Sequence, residues 1–305
     1  MICRTAIALA VTLVIAAPAY AAGPRDKILV EADWLAQHLK DPNLVILQVG
    51  DKAAYDAGHI PGSELIAIAQ VAAQPSGADA LTLELPDAAT LHDRLAAMGI
   101  SDKSKVVVVH GSDGIQSATR VVFTLDAAGL GDHAVLLDGG LPGWKREGRP
   151  TSTEVPTITP GKLAALKMKP LVVDADFVKS HAHATGYSIV DARAPNFYSG
   201  AQTGGSAAKP HKTGHVAGAK SVPFSSVTTP DLKFLSAKEL EERFKAAGIK
   251  KGDTIVTYCH VGQQASATLF AARTLGYKVR LYDGSFEDWS RKDGPVETSA
   301  PAAKP

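Results

Sequence analysis

The chain has 305 residues, 45% hydrophobic and 21% charged, with a formal net charge of +1. That length is too great for one ordinary core and suits two domains of common size, and the composition is that of a soluble globular protein. A charge so near zero supplies no long-range field for nucleic acid or an anionic membrane, which leaves small molecules and other proteins as partners.

Residues 1–22 read as a secretory signal peptide. Arg4 supplies the positive start, residues 6–17 an apolar run and Ala19-Tyr20-Ala21 a small-residue cleavage site. The run is short for a bilayer, and Cys3 precedes it, unlike a lipoprotein attachment site. The expectation is an exported protein, periplasmic where the source has two membranes, with no membrane segment in its mature form. Loss of the leader removes Cys3 and leaves Cys259 as the single cysteine. Exported chains commonly pair their cysteines, so an unpaired thiol needs a chemical explanation.

From there the chain repeats itself. Val30-Glu31-Ala32-Asp33-Trp34 matches Val173-Asp174-Ala175-Asp176-Phe177, and Tyr55 matches Tyr198 at the same separation. Gly58-His59-Ile60-Pro61-Gly62 matches Gly214-His215-Val216-Ala217-Gly218, after an insert over residues 200–213 rich in Gly, Ala and Lys. Met98-Gly99-Ile100 matches Ala247-Gly248-Ile249, and Leu137-Asp138-Gly139-Gly140 with Trp144 matches Tyr282-Asp283-Gly284-Ser285 with Trp289. Short apolar strands are expected over 45–49, 106–109 and 134–137, then over 188–190, 254–257 and 279–282. Amphipathic helices are expected over 89–98 and 237–247. The alternation predicts an α/β fold of two homologous domains, each a parallel sheet with helices on both faces. The domains fall at 27–150 and 170–297, joined by a linker over 151–169, and residues 298–305 read as a disordered tail.

Cys259 opens a loop between a β-branched strand, 254–258, and an alanine-rich helical stretch, 265–275. Ligands of such sheets bind beyond the carboxyl ends of the strands. Backbone N–H groups and the helix dipole point into that concavity, so the thiol is expected to ionise more easily than a free cysteine and to act as a nucleophile. The bland alternative is an inert, buried cysteine serving as a small hydrophobe.

Cys259-His260-Val261-Gly262-Gln263-Gln264 resembles the active-site loop of the rhodanese family of sulfurtransferases. Asp191-Ala192-Arg193, the Gly214–Gly218 turn and Asp283-Gly284 with Trp289 add to the likeness, and the tandem arrangement looks like that of the thiosulfate and 3-mercaptopyruvate sulfurtransferases. The resemblance implies a catalytic second domain and a non-catalytic first. It implies that Cys259 takes a sulfane sulfur as a persulfide and passes it to cyanide or a thiol, with no metal or organic cofactor. Arg193 would bind a small anionic sulfur donor, with His260, Val261, Gly262, Gln263 and Gln264 lining the substrate site. Arg193 has a second reading, an ion pair with Asp191, and both roles can coexist. In the first half Gly111 is matched to Cys259, Gln48 to Asp191 and Gly50 to Arg193.

The loop departs from the family's Cys-Arg-Lys-Gly-Val-Thr and Cys-Gly-Ser-Gly-Val-Thr patterns, so the donor stays open, with thiosulfate placed ahead of mercaptopyruvate. Gly262 is read as a tight-loop residue able to take a positive φ. His59 and His215 are read as structural, because both halves carry them, and Trp144 and Trp289 as core aromatics. His181, His183, His211 and His215 lack a second cysteine or acidic cluster at ligand spacing, so no metal is assigned. The insert is either a flap near the donor or a solvated loop. Two other functions stand beside sulfur transfer. One is a non-enzymatic exported persulfide carrier. The other is a cysteine phosphatase or arsenate reductase, which needs an arginine where this chain has Ala265.

Overall fold

A computed structural model describes residues 23–77, 79–111 and 114–299. The leader and the last residues of the tail lie outside the described residues. Each half builds one five-stranded, all-parallel sheet. In the first half these are β1 (Leu29–Val30), β2 (Leu44–Val49), β3 (Ser63–Ile66), β4 (Lys105–His110) and β5 (Ala134–Leu137), in the order β1-β5-β4-β2-β3. The second half has β6 (Val172–Val173), β7 (Tyr187–Asp191), β8 (His215–Val216), β9 (Lys220–Ser221), β10 (Thr254–Tyr258), β11 (Lys278–Tyr282) and β12 (Val296–Glu297). Its sheet runs β6-β11-β10-β7-β9, the same topology, and β8 pairs antiparallel with β12. The central strands read as unbroken β-branched runs, such as Val106-Val107-Val108-Val109, because both faces are covered.

The helices follow their sequence signals. Asp87 caps Ala88–Ala97 by accepting from Ala89 N and Thr90 N, and Ser236 caps Ala237–Ala246 in a capping box with Glu239. Two helices, Ile115–Leu125 and Gln263–Thr274, are buried almost all round because they pack on each other between the two sheets. A single apolar cluster runs from Leu47 and Val108 through Val122 to Phe270 and Ile255, so the halves share a core. At 25–30 cal/mol per Å² of apolar area, so continuous a cluster makes independent motion of the halves costly.

Residues 153–169 form no helix or strand, yet they are tied to the first half. Gly161 N donates to Ala96 O at 2.7 Å, Ala164 N to Asp102 Oδ1 at 2.8 Å and Lys169 N to Ala127 O at 2.7 Å. Within the expected tail, Ser299 N donates to Ser199 O at 3.2 Å, so the chain is still hydrogen-bonded there. Among the described residues no helix is long and apolar enough to cross a membrane.

Strand register corrects one sequence match. Gln48 and Asp191 are equivalent, since Gln48 pairs with Leu65 and Asp191 with Ser221, each at the same place after the glycine turns. Gln48 also pairs with Val109, whereas Asp191 pairs with Tyr258. The residue after Val109, His110, is therefore the structural counterpart of Cys259, and Gly111 matches His260. The triplets Ser117-Ala118-Thr119 and Ser266-Ala267-Thr268 follow His110 and Cys259 at equal distance, as this register requires.

Candidate active site

Cys259 leaves the end of β10, and the chain turns through Gly262, whose φ of +81° marks the N-cap of Gln263–Thr274. Glycine is required there twice over. The backbone is left-handed, and a Cβ would lie 2.8 Å from Asp283 Oδ1 and 2.9 Å from Arg120 Nη1. The turn aims the N–H groups of Val261, Gly262, Gln264 and Ala265 at the Cys259 sulfur. The other side of the loop is fixed by the segment after β11: Cys259 N donates to Ser285 Oγ at 3.2 Å, Phe286 N to Cys259 O at 3.0 Å and Glu287 N to His260 O at 3.0 Å. Ser285 takes a positive φ of 52° at this junction, an uncommon conformation for a side-chain-bearing residue.

The thiol is fully buried, beside Phe123, Ala192, Ala265, Leu269 and Leu281. Burial pushes its pKa up, and the four N–H donors pull against that without overcoming it. Easier ionisation was expected from the loop sequence; the closed site reverses the sign, because desolvation of a thiolate outweighs the oriented amides.

Arg193 is held by Asp191. Its Nε donates to Oδ1 at 3.0 Å, its Nη2 to Oδ2 at 2.6 Å and to Gly214 O at 2.7 Å. Tyr258 OH donates to the same Asp191 Oδ2 at 2.7 Å, and the guanidinium lies 3.9 Å from the Phe286 ring centroid. The pair is buried, and the Arg193 charge still bears on both Cys259 and His260. The ion-pair reading of this arginine is the one the structure shows, with its charge near enough to act on Cys259.

The remaining loop residues divide. His260 and Val261 face a cavity of about 290 Å³. The His260 ring packs edge-on against Phe197 at 4.6 Å, and burial, then the Arg193 charge, push its pKa down to about 4, so it is neutral at pH 7. Gln263 turns away to the first half, its Nε2 donating to Ser117 Oγ at 2.9 Å. Gln264 buries its Oε1 without a hydrogen bond. The insert over residues 200–213 lies across this loop: a Cβ on Gly204 would come within 2.8 Å of the His260 ring.

Sequence reasoning passed over Arg120, and it quoted Asp283 in the repeated turn without giving it a role at the site. Arg120, from the first half and fully buried, pairs with Asp283 and donates to Leu83 O, beside Gly262. Asp283 also accepts from Leu85 N at 2.8 Å. The available signal was an arginine directly before the apolar run Val121-Val122-Phe123 of a helix. The matched histidines are structural, as read: His59 stacks on Tyr55 and His215 on Tyr198, each at 3.7 Å, and each Nδ1 contacts that tyrosine's carbonyl oxygen. Trp144 and Trp289 are buried, with Nε1 donating to Pro150 O and Pro295 O.

The rhodanese-like domain family matches the sequence twice, over residues 31–147 and 174–292. The chain belongs to that family, whose reaction class is sulfur transfer. It is 33% identical over 286 residues to the sulfur carrier protein TtuD of Thermus thermophilus, covering 88% of this chain and 95% of that one. It is 28% identical over 291 residues to a thiosulfate sulfurtransferase of Corynebacterium glutamicum, covering 92% and 94%. The solved structure of YnjE superposes with a TM-score of 0.80 at 26% identity, over 91% of this chain and 70% of that one.

Proposed function

We propose that this protein moves a sulfane sulfur from thiosulfate, or from 3-mercaptopyruvate, to cyanide or a thiol through a persulfide on Cys259. The observation that carries the reading is the ring of four N–H donors directed at a lone sulfur. The Cys259 thiolate attacks the outer sulfur of thiosulfate, the S–S bond breaks and sulfite leaves with the electron pair. An acceptor nucleophile then attacks the outer sulfur of the persulfide, and the pair returns to Cys259. The amides that soften the cost of the buried thiolate also suit the terminal sulfur of the persulfide, which carries the charge between the two steps. Arg193 supports an anionic donor by its nearness, while its bond to Asp191 cancels most of its net charge. Because burial raises the thiol, the first step should quicken as pH rises through the alkaline range. Steady-state transfer from thiosulfate and from mercaptopyruvate, to cyanide and to a thiol, tests the proposal; no turnover with any pair contradicts it.

A second reading is a persulfide carrier that loads but turns over small acceptors poorly. The 33% identity to a sulfur carrier and the closed thiol favour it. One loading per chain without multiple turnover selects the carrier. Export, to the periplasm where there are two membranes, belongs to the proposal on the strength of residues 1–22. Cell fractionation and the mass of the mature N-terminus test it.

A further inference from the structure

The linker after the first half fills a groove as well as joining two domains. Residues 158–166 lie against the end of helix Ala88–Ala97 and the turn that leads into β4, at the opposite end of the sheet from the loop after that strand. Gly161 N donates to Ala96 O at 2.7 Å, Lys162 N to Ser101 Oγ at 2.9 Å and Ala164 N to Asp102 Oδ1 at 2.8 Å, while Lys162 O accepts from Asp102 N at 3.2 Å. Leu163 and Leu166 pack on the shared core, and the backbone runs so close that a Cβ on Gly161 would overlap Ile100 O.

The register that matches His110 with Cys259 carries Ala96, Ile100, Ser101 and Asp102 onto Lys245, Ile249, Lys250 and Lys251. Those four residues line a groove of about 710 Å³, completed by Glu241 and by residues 252–253 and 275–278. Positions that hold a peptide segment in the first half therefore form an open groove in the second. Among the described residues no segment crosses it, and Pro24 reaches only its edge, 3.3 Å from where a Cβ on Gly276 would stand. Its floor is apolar, with Ile249 buried and the Tyr277 ring stacked on Phe244 at 5.9 Å. Its rim is basic. Lys245, Lys250, Lys251 and Lys278 are exposed, and among the described residues their side chains form no ion pair or hydrogen bond. Of the two acids, Asp253 is buried and its Oδ2 accepts from Ser188 Oγ at 2.6 Å and Lys250 N at 3.1 Å, which leaves Glu241 alone at the rim. Four lysines thus gather on a chain whose formal net charge is only +1. The first half shows the reverse arrangement, an aspartate at the rim and Lys162 on the segment that covers it. Lys251 N, the match of the Asp102 N–H that holds Lys162 O, has no acceptor among the described residues. A rim of one sign selects a partner of the other.

We infer that this groove docks an acidic peptide segment of a partner protein, held as residues 158–166 are held in the first half. Apolar side chains of the segment rest on Ile249 and Tyr277, and its carboxylates meet Lys245, Lys250, Lys251 and Lys278. The groove lies before β10 and Cys259 after it, with five residues of strand between, so a docked partner leaves the sulfur loop uncovered. The inference does not depend on the sulfurtransferase reading.

The probe is a fluorescein-labelled peptide with the sequence of residues 158–166 carrying Lys162→Glu and Ala164→Glu, titrated with the full chain and read by fluorescence anisotropy. Saturable binding is expected, weakened at least about tenfold by Lys250→Glu combined with Lys251→Glu, because like charges then face each other. The unaltered 158–166 sequence should also bind at least about tenfold more weakly, and so should an acidic peptide with serine in place of both leucines, which loses the apolar contact. Both lysines are exposed, so the double variant should keep the wild type's thermal midpoint and sulfur transfer; the peptide comparisons use the wild-type chain and decide even if it does not. No saturable binding at concentrations up to about 1 mM, or binding that the double variant or the serine peptide retains in full, overturns the inference. Displacement of the probe by equimolar inorganic phosphate would make the groove a small-anion site, and self-association that the double variant abolishes would give it to a second copy. Tighter binding by a chain ending at Ser299 would give it to residues 300–305, which carry a lysine and no acid. Each of these three results also overturns the partner assignment.

Discussion

The two strand-loop-helix units at the centre of the molecule are built alike, down to a Ser-Ala-Thr triplet in each helix. One carries Cys259 in a ring of amides, and the other carries His110, buried, with Nε2 unbonded and its pKa pushed down by burial. Both halves close the same clasp. Asp138 accepts from Phe234 N and Asp283 from Leu85 N, so each aspartate holds a strand-end turn against the opposite half. What differs is the cation behind each aspartate: fully buried Arg120 for Asp283, and Arg25, with a quarter of its side chain exposed, for Asp138. The scaffold is symmetric, and the chemistry rests on the few side chains that are not.

The sharpest way to break the comparison is at the paired loop positions. Cys259→Ser should lower sulfur transfer by at least about 10³-fold in a steady-state assay, as loss of a nucleophile does, with an unchanged thermal midpoint. Adding His110→Cys to that variant should restore nothing, because Gly50 stands where the second half has Arg193 and no insert covers the first loop. Recovery of transfer by the double variant would mean that the fold alone makes a reactive thiol.

The clasps should differ in strength. Arg120→Ala leaves Asp283 charged and buried, and denaturant unfolding should show a loss of about 3–5 kcal/mol. Asp138 separates the halves by pH. Burial raises its folded carboxyl to about 6, against roughly 3.9 when unfolded. Between these values the folded state holds a proton that the unfolded state has released. Stability should therefore fall as pH rises through that window, by on the order of 2 kcal/mol, and Asp138→Asn should flatten the slope. Arg25→Ala, on a partly exposed pair, should cost at most about 1 kcal/mol in the same unfolding experiment. Equal losses for Arg25 and Arg120 would remove the distinction between the two clasps.

Much of this was legible in the sequence because alternating strands and helices leave strong periodic signals, and the duplicated turns confirm one another. The exact pairing of the halves was not. Four consecutive valines in β4 look the same after a one-residue slip, and only hydrogen-bond register identifies His110 as the partner of Cys259. The residue types of the loop were readable, but their directions were not: Gln263 and His260 are close in sequence, yet one turns to Ser117 and the other to the cavity. Burial of Cys259 comes from Phe123, Leu269 and Leu281, spread over both halves, so a local reading gave the wrong sign for its pKa. Arg120 escaped notice because it belongs to the half that holds no nucleophile.

Intact-mass measurement of the full chain after incubation with thiosulfate tests the central claim most directly. The wild type should gain one sulfur that a reducing thiol removes, and Cys259→Ser should gain none. The same gain in both proteins, or none in the wild type with either thiosulfate or mercaptopyruvate, would contradict a persulfide on Cys259.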